Sequence, residues 1–216
     1  PLVSDGIYYV HSETNIYEGY AMIIGPSDTP YADGFYFFKF VYPKDYPFSP
    51  PQLKYCTNDG MTRFNPNLYK NGKVCVSVLN TWHGPQWTSC QSIRSVLLTL
   101  ITLFIDNPLL NEPGFRVDNK QCKPYRDIIE YMNYKTAIHG MITQKFIPPE
   151  FIGFYPLIKS HISENKDVIF ERLDKLAKSD INDTTCVVGV YDMTTKLDYT
   201  GIESQIHSAF DDFITT

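Results

Sequence analysis

The chain has 216 residues, 43% of them hydrophobic and 15% aromatic, enough to bury a core in one medium domain with an appendage or in two small domains. Its net charge of −5 lies entirely in residues 145–216, which hold seven Lys/Arg against twelve Asp/Glu, while residues 1–144 hold twelve of each. No basic face is left for nucleic acid, and the longest apolar run, Val96 to Ile105, is broken by Thr99 and Thr102 and too short for a bilayer, so neither nucleic-acid nor membrane binding is expected.

The first stretch reads as β structure. Gly6 to Val10, Ile16 to Gly25, Phe35 to Tyr42 and Gln52 to Thr57 are rich in aromatic and β-branched residues. Gly-Pro, Thr-Pro, Tyr-Pro and Pro-Pro pairs separate them, which predicts a meander of antiparallel strands with short connections. The opening residues, Pro1 to Asp5, have the character of neither a signal nor a transit peptide.

From Thr88 the pattern changes. Ile93, Val96, Leu97, Leu100, Ile101 and Phe104 follow the spacing of an amphipathic helix, opened by a capping box of Thr88 and Gln91 and stopped at Asn107-Pro108. Tyr125 to Ile142 reads as a second, more polar helix. Pro148-Pro149 marks a boundary. Beyond it a short helix is expected over Asp167 to Lys178, with Ile169, Leu173, Leu176 and Ala177 on one side, and Cys186 to Tyr191 reads as strand or loop. A capping box at Thr200 to Glu203 opens a last helix that presents Ile202, Ile206, Ala209, Phe210 and Phe213 on one face. Two parts result: residues 1–145, and an acidic, mainly helical extension, residues 146–216.

Five cysteines stand at 56, 75, 90, 122 and 186. An odd number without a CxxC pair disfavours a disulfide framework, and spacings of 19, 15, 32 and 64 offer no zinc site, so no metal and a reducing compartment are expected. Cys75 has a distinct setting. A polar turn, Asn65-Pro66-Asn67, precedes it; it lies eight residues after Asn67 in an apolar run, and both tryptophans, Trp82 and Trp87, follow closely. The other four cysteines lack such a context and read as buried structural thiols.

These residues carry a resemblance. Ile24 to Tyr31, Tyr42 to Pro51, Asn65-Pro66-Asn67, Gly72-Lys73-Val74-Cys75 and Trp87 resemble the ubiquitin-conjugating enzymes, the E2 proteins, in order and spacing. The long link Leu79 to Gln86 and Asn111-Glu112-Pro113-Gly114-Phe115 are most similar to the large E2s with a carboxy-terminal extension, the Z type, and to the conjugating domain of the giant inhibitor-of-apoptosis E2/E3. The resemblance covers roughly residues 6–142. It implies an α/β (α+β) fold with a four-stranded antiparallel meander sheet flanked by helices, plus the helical extension. Two departures stand out: Asn65 occupies the place of the family's usual His, and the chain opens almost at the first strand, where the family usually has a helix that helps dock the activating enzyme.

The resemblance also implies roles. Cys75 would carry ubiquitin, or a ubiquitin-like modifier, as a thioester received from an activating enzyme (E1), and yield it to a lysine amine of a protein substrate. No cofactor would be bound; ATP would be used by the E1. Asn67 would stabilise the oxyanion, with Asn65 and Pro66 shaping the turn. Glu112 is the first candidate for the acid that activates the lysine, Asp106 the second, and His83 lies near in sequence. Phe48 would meet a RING or HECT ligase (E3). Trp82 and Trp87 would pin the long link over the core. The cytoplasm, with the nucleus also open, is the implied location. A non-catalytic ubiquitin-binding variant, and an E2 for another modifier, remain the alternatives. Removal of residues 146–216 is expected to leave Cys75 chargeable unless the extension belongs to the folded core.

Overall fold

The computed structural model describes residues 3–215, without the side chains of residues 211, 212, 214 and 215. After a short 3-10 turn, four strands, β1 (Ile7–His11), β2 (Glu18–Ile24), β3 (Phe35–Val41) and β4 (Gln52–Tyr55), form an antiparallel sheet in chain order. Ile23 stands opposite Tyr36, and Phe38 opposite Tyr55. The meander expected from the sequence is therefore present, with each strand within two residues of its expected ends. Gly34, just before β3, has to be glycine: a Cβ there would lie 1.9 Å from Asn133 Oδ1.

Helix α1 (Ile93–Ile101) packs Val96, Leu97 and Leu100 inward. Its start differs from the expected one. Ser92 and Ser95 form the capping box, whereas Thr88 and Gln91 keep only one half of theirs, Thr88 N–H donating to Gln91 Oε1 at 3.3 Å. The expected second helix is α2 (Cys122–Met132), a π-helical stretch at Asn133–His139, and α3 (Gly140–Ile142). The π turns shift the helix phase, which is why no single face was legible. They also aim Asn133 into the core, where it accepts from Tyr36 Oη at 2.5 Å and donates to the Ala32 carbonyl at 2.9 Å.

The extension departs most from expectation. Helix α4 runs over Tyr155–Ala177, not the short helix expected from Asp167. Only Ile158, Ile162, Ile169 and Leu173 are buried along it, too sparse a stripe for the periodic signal to register in its first half. A hairpin, β5 (Thr185–Val188) and β6 (Met193–Lys196), encloses a 3-10 turn at Gly189–Tyr191. In α5 (Tyr199–Thr215) the Gly201 N–H bonds to Asp198 Oδ1, so Asp198 caps the helix in place of the expected Thr200 box. Ile202, Ile206, Phe210 and Phe213 are buried as expected, and Ala209 is half-buried.

The two parts share one hydrophobic core. Phe151 and Phe154 stack on Phe37 of β3 at 4.7 and 6.2 Å, and Phe151 meets Tyr20 of β2 edge-on. Asp33, in the β2–β3 connection, takes hydrogen bonds from His161 at 2.8 Å and from Arg172, both on α4. Among the described residues no helix is long and apolar enough to cross a membrane.

Candidate functional site

The segment between β4 and α1 has almost no regular structure, so side-chain and turn hydrogen bonds must hold it. It folds back on itself. Tyr69 N–H bonds to the Lys73 carbonyl, Gly72 N–H to the Tyr69 carbonyl, and Tyr55 N–H to the Gly72 carbonyl. Gly72 sits at φ +87°, and a Cβ there would press on the Tyr55 carbonyl oxygen at 2.9 Å. This tight return brings Asn67 opposite Cys75, which is what the eight-residue spacing means in space.

The two residues are joined reciprocally. Cys75 N–H donates to the Asn67 carbonyl at 2.9 Å, and Asn67 Nδ2 donates to the Cys75 carbonyl at 2.6 Å. A carboxamide nitrogen has two hydrogens, so the second remains for a further acceptor. Asn67 Oδ1 is buried without a partner among the described residues. Cys75 itself is only 2% exposed.

Asn65 supports this pair. Its Nδ2 donates to Tyr31 Oη at 3.0 Å and to the Leu103 carbonyl at 2.8 Å, and its Oδ1 accepts from Asn67 N–H at 3.0 Å and Asn111 Nδ2 at 3.4 Å. Every hydrogen-bonding position of this buried amide is used. Tyr31 in turn donates to the Phe64 carbonyl at 2.6 Å. Pro66 offers its carbonyl to the Arg63 guanidinium.

On the other side of the cysteine, Thr81 acts as a clamp. Its hydroxyl accepts from Val76 N–H at 3.0 Å and lies 3.0 and 3.1 Å from the Val74 and Val76 carbonyls, either of which it can donate to. Trp87 is buried, and its indole N–H donates to the Pro47 carbonyl at 2.8 Å. It thereby ties the long link to the loop that carries Phe48, which is 78% exposed. Trp82 differs from the expected pin: it is half-buried outside the core, and its one ring contact among the described residues is with His83.

The two candidate acids are held differently. Glu112 is half-buried and accepts a hydrogen bond from Tyr191 Oη at 2.5 Å. Asp106 is exposed and paired with Arg126 at 3.0 Å, an arginine that also holds Glu130. His83 is exposed in the long link. Asn111, which touches Asn65, immediately precedes Glu112 and links that acid to the Cys75 turn; among the described residues no such link joins Asp106 or His83 to it.

All five cysteines are free thiols. Burial pushes the Cys56 thiol up to about 11 and raises that of Cys186. Cys122 is buried and donates to the Arg116 carbonyl, as a structural thiol should, whereas Cys90 is exposed, against expectation. Among the described residues no cluster of three or more His, Cys, Asp or Glu could hold a metal ion.

Residues 3–135 match the family model described as ubiquitin-conjugating enzyme. The chain belongs to this family. It is 43% identical over 148 residues to the ubiquitin-conjugating enzyme E2 Z of Danio rerio, covering 67% of this chain and 45% of that protein. It is 34% identical over 180 residues to the probable ubiquitin-conjugating enzyme protein 17 of Caenorhabditis elegans, covering 78% of this chain and 24% of that protein. It is 47% identical over 100 residues to the dual E2 ubiquitin-conjugating enzyme/E3 ubiquitin-protein ligase BIRC6 of Homo sapiens, covering 44% of this chain and 2% of that protein. The chain thus spans less than half the length of these curated relatives. As a member of the E2 family it has the expected four-stranded sheet with flanking helices, and the extension lies outside the residues that the family model matches.

Sequence reasoning missed Tyr31, Arg63, Thr81 and Tyr191. Tyr31 and Thr81 lie in segments that carry the resemblance, but nothing in the sequence marks the hydrogen bonds their hydroxyls make. Arg63 and Tyr191 meet across 128 residues of sequence, the guanidinium lying 4.4 Å from the Tyr191 ring and 3.7 Å from that of Tyr69.

Proposed function

We propose that this E2 family member accepts ubiquitin, or a ubiquitin-like modifier, from an activating enzyme as a thioester on Cys75 and passes it to a lysine amine of a protein substrate with the help of a RING or HECT ligase. The reciprocal Cys75–Asn67 bonding carries this reading, because it fixes a thiol and a neutral donor side by side. In the first step the Cys75 thiolate attacks the donor's thioester carbonyl carbon and expels the donor's thiolate. In the second, the lysine nitrogen attacks the carbonyl held on Cys75, the Cys75 thiolate leaves, and the nitrogen gives up a proton.

Asn67 suits the second step. Its unused Nδ2 hydrogen stabilises the oxyanion without repelling a cationic lysine. Glu112 is the acid assigned to the lysine; the bond of its chain neighbour Asn111 to Asn65, which holds the Asn67 N–H, supports that choice. Asp106 is the weaker candidate because Arg126 already compensates its charge. Phe48, an exposed aromatic tip, serves ligase docking. No bound cofactor takes part in either step; ATP is spent by the activating enzyme. A reducing compartment, the cytoplasm with the nucleus also open, suits five free thiols.

A charging assay tests the reading. With activating enzyme, ATP and ubiquitin, the chain should form an adduct cleaved by thiols, and Cys75→Ala should form none. An adduct that survives in Cys75→Ala removes the site assignment, and charging only with another modifier makes that modifier the substrate. Asn67→Ala should charge but discharge to free lysine slower by about a hundredfold or more.

A further inference from the structure

Tyr191 stands in the turn between β5 and β6, inside the extension, and reaches a candidate site otherwise built from residues 31–112. Its hydroxyl donates to Glu112 Oε2 at 2.5 Å. The tyrosine does not depend on that bond for its place. Its ring lies 4.4 Å from the Arg63 guanidinium and, tilted by 58°, 5.5 Å from the Tyr125 ring. Its carbonyl accepts from Lys70 Nζ at 3.1 Å, and the neighbouring Val190 N–H is held by Gln121 Oε1 at 3.0 Å. The Arg63 main chain is bonded too, its N–H to Met193 Sδ and its carbonyl to Tyr125 Oη. The phenol is therefore the fixed partner, and Glu112 the group that it orients.

We propose that Tyr191 is a positioning residue for Glu112, and that through it the extension takes part in amine transfer. This rests on the reading of Glu112 as the acid that serves the incoming lysine. A phenol fits that purpose better than a cation would. It fixes one carboxylate oxygen without pairing it to a cation, and Glu112 Oε1 has no hydrogen-bond partner among the described residues. The contrast is Asp106, whose charge is met by Arg126. Burial, and then the bond to Glu112, raise the Tyr191 hydroxyl well above the ordinary phenol range, so it stays a donor. The contacts form a closed ring: Tyr191 holds Glu112; Asn111, next in the chain, meets Asn65; Asn65 holds the Asn67 N–H; and Pro66, between those two, is held by Arg63, which lies on Tyr191.

The test uses the full chain and the variants Tyr191→Phe, Glu112→Gln and both together. Charging by activating enzyme is measured first, then single-turnover discharge to free lysine over a range of lysine concentrations. Tyr191→Phe keeps the ring and should charge within about twofold of the wild type, while the maximal discharge rate falls about tenfold and the KM for lysine changes little. In the Glu112→Gln background the same change should add less than about twofold, because the hydroxyl acts only through the carboxylate. A wild-type discharge rate in Tyr191→Phe, a full additional fall in the double variant, or an equal fall in charging overturns the role of Tyr191. A wild-type rate in Glu112→Gln overturns the assignment of Glu112 itself, and the two failures are thereby told apart.

Discussion

The two faces of the four-stranded sheet are covered by different parts of the chain, and the inner face is the more completely buried. On the inner face Tyr36 packs against Tyr31, Phe64 and Phe104, all within the residues that match the E2 family model. On the outer face Phe37 and Tyr20 are covered by Phe151 and Phe154, and Phe35 meets His161, all beyond that match. Phe35, Tyr36, Phe37 and Phe38 are each 0% exposed. The physical unit is thus larger than the family-matched segment. The division at residue 145 separates two stretches of sequence but crosses a single core.

Removing residues 146–216 should break the comparison most severely. It uncovers Phe37, Phe35 and Tyr20, and each large apolar side chain returned to water costs about 1.5–3 kcal/mol. Loss of several such groups, together with the cores of α4 and α5, is comparable to the whole stability of a domain, roughly 5–15 kcal/mol. The shortened chain should show no cooperative thermal transition by circular dichroism. This is the condition under which the expectation of a chargeable core without its extension fails; a cooperative melt with charging retained would restore it.

Single substitutions sharpen the comparison on a smaller scale. Phe151→Ala on the outer side and Phe104→Ala on the inner should each cost about 3–5 kcal/mol in chemical denaturation. A cost below about 1 kcal/mol for Phe151 alone would show that its face can close without it.

The outer cover was partly legible. A strand half-exposed to water alternates, whereas Phe35-Tyr36-Phe37-Phe38 is continuously apolar, the pattern of a strand buried on both faces. What covers it was not legible, because α4 buries only four side chains, none of them between Ile162 and Ile169. The candidate site divides in the same way. The Asn67–Cys75 spacing and the motifs around it were readable because a tight return joins neighbours in sequence. Tyr191 and Glu112 lie 79 residues apart and Arg63 and Met193 lie 130 apart; no local periodicity encodes such contacts.

The smallest expected effect concerns the charged latch between the β2–β3 connection and α4. Burial alone would push the Asp33 carboxyl up, but the hydrogen bonds from His161 and Arg172, with the charge of Arg172, outweigh it and hold the group below the ordinary carboxylate range. A carboxyl depressed in the folded state adds stability above its unfolded value, about 3.9, and that share is lost as pH falls through the folded value. Asp33 has φ +58°, a conformation that asparagine accepts, so Asp33→Asn removes the charge without new backbone strain. The variant should be less stable by roughly 1–3 kcal/mol near neutral pH, since the partner side chains on α4 lose their acceptor charge. The difference in melting temperature should hold steady down to about pH 5 and shrink below about pH 4, where the wild-type carboxyl takes up its proton and becomes as neutral as the amide. A difference that persists unchanged in acid would mean that shape, not charge, seats α4 against this connection, and the outer face would then be held by packing alone.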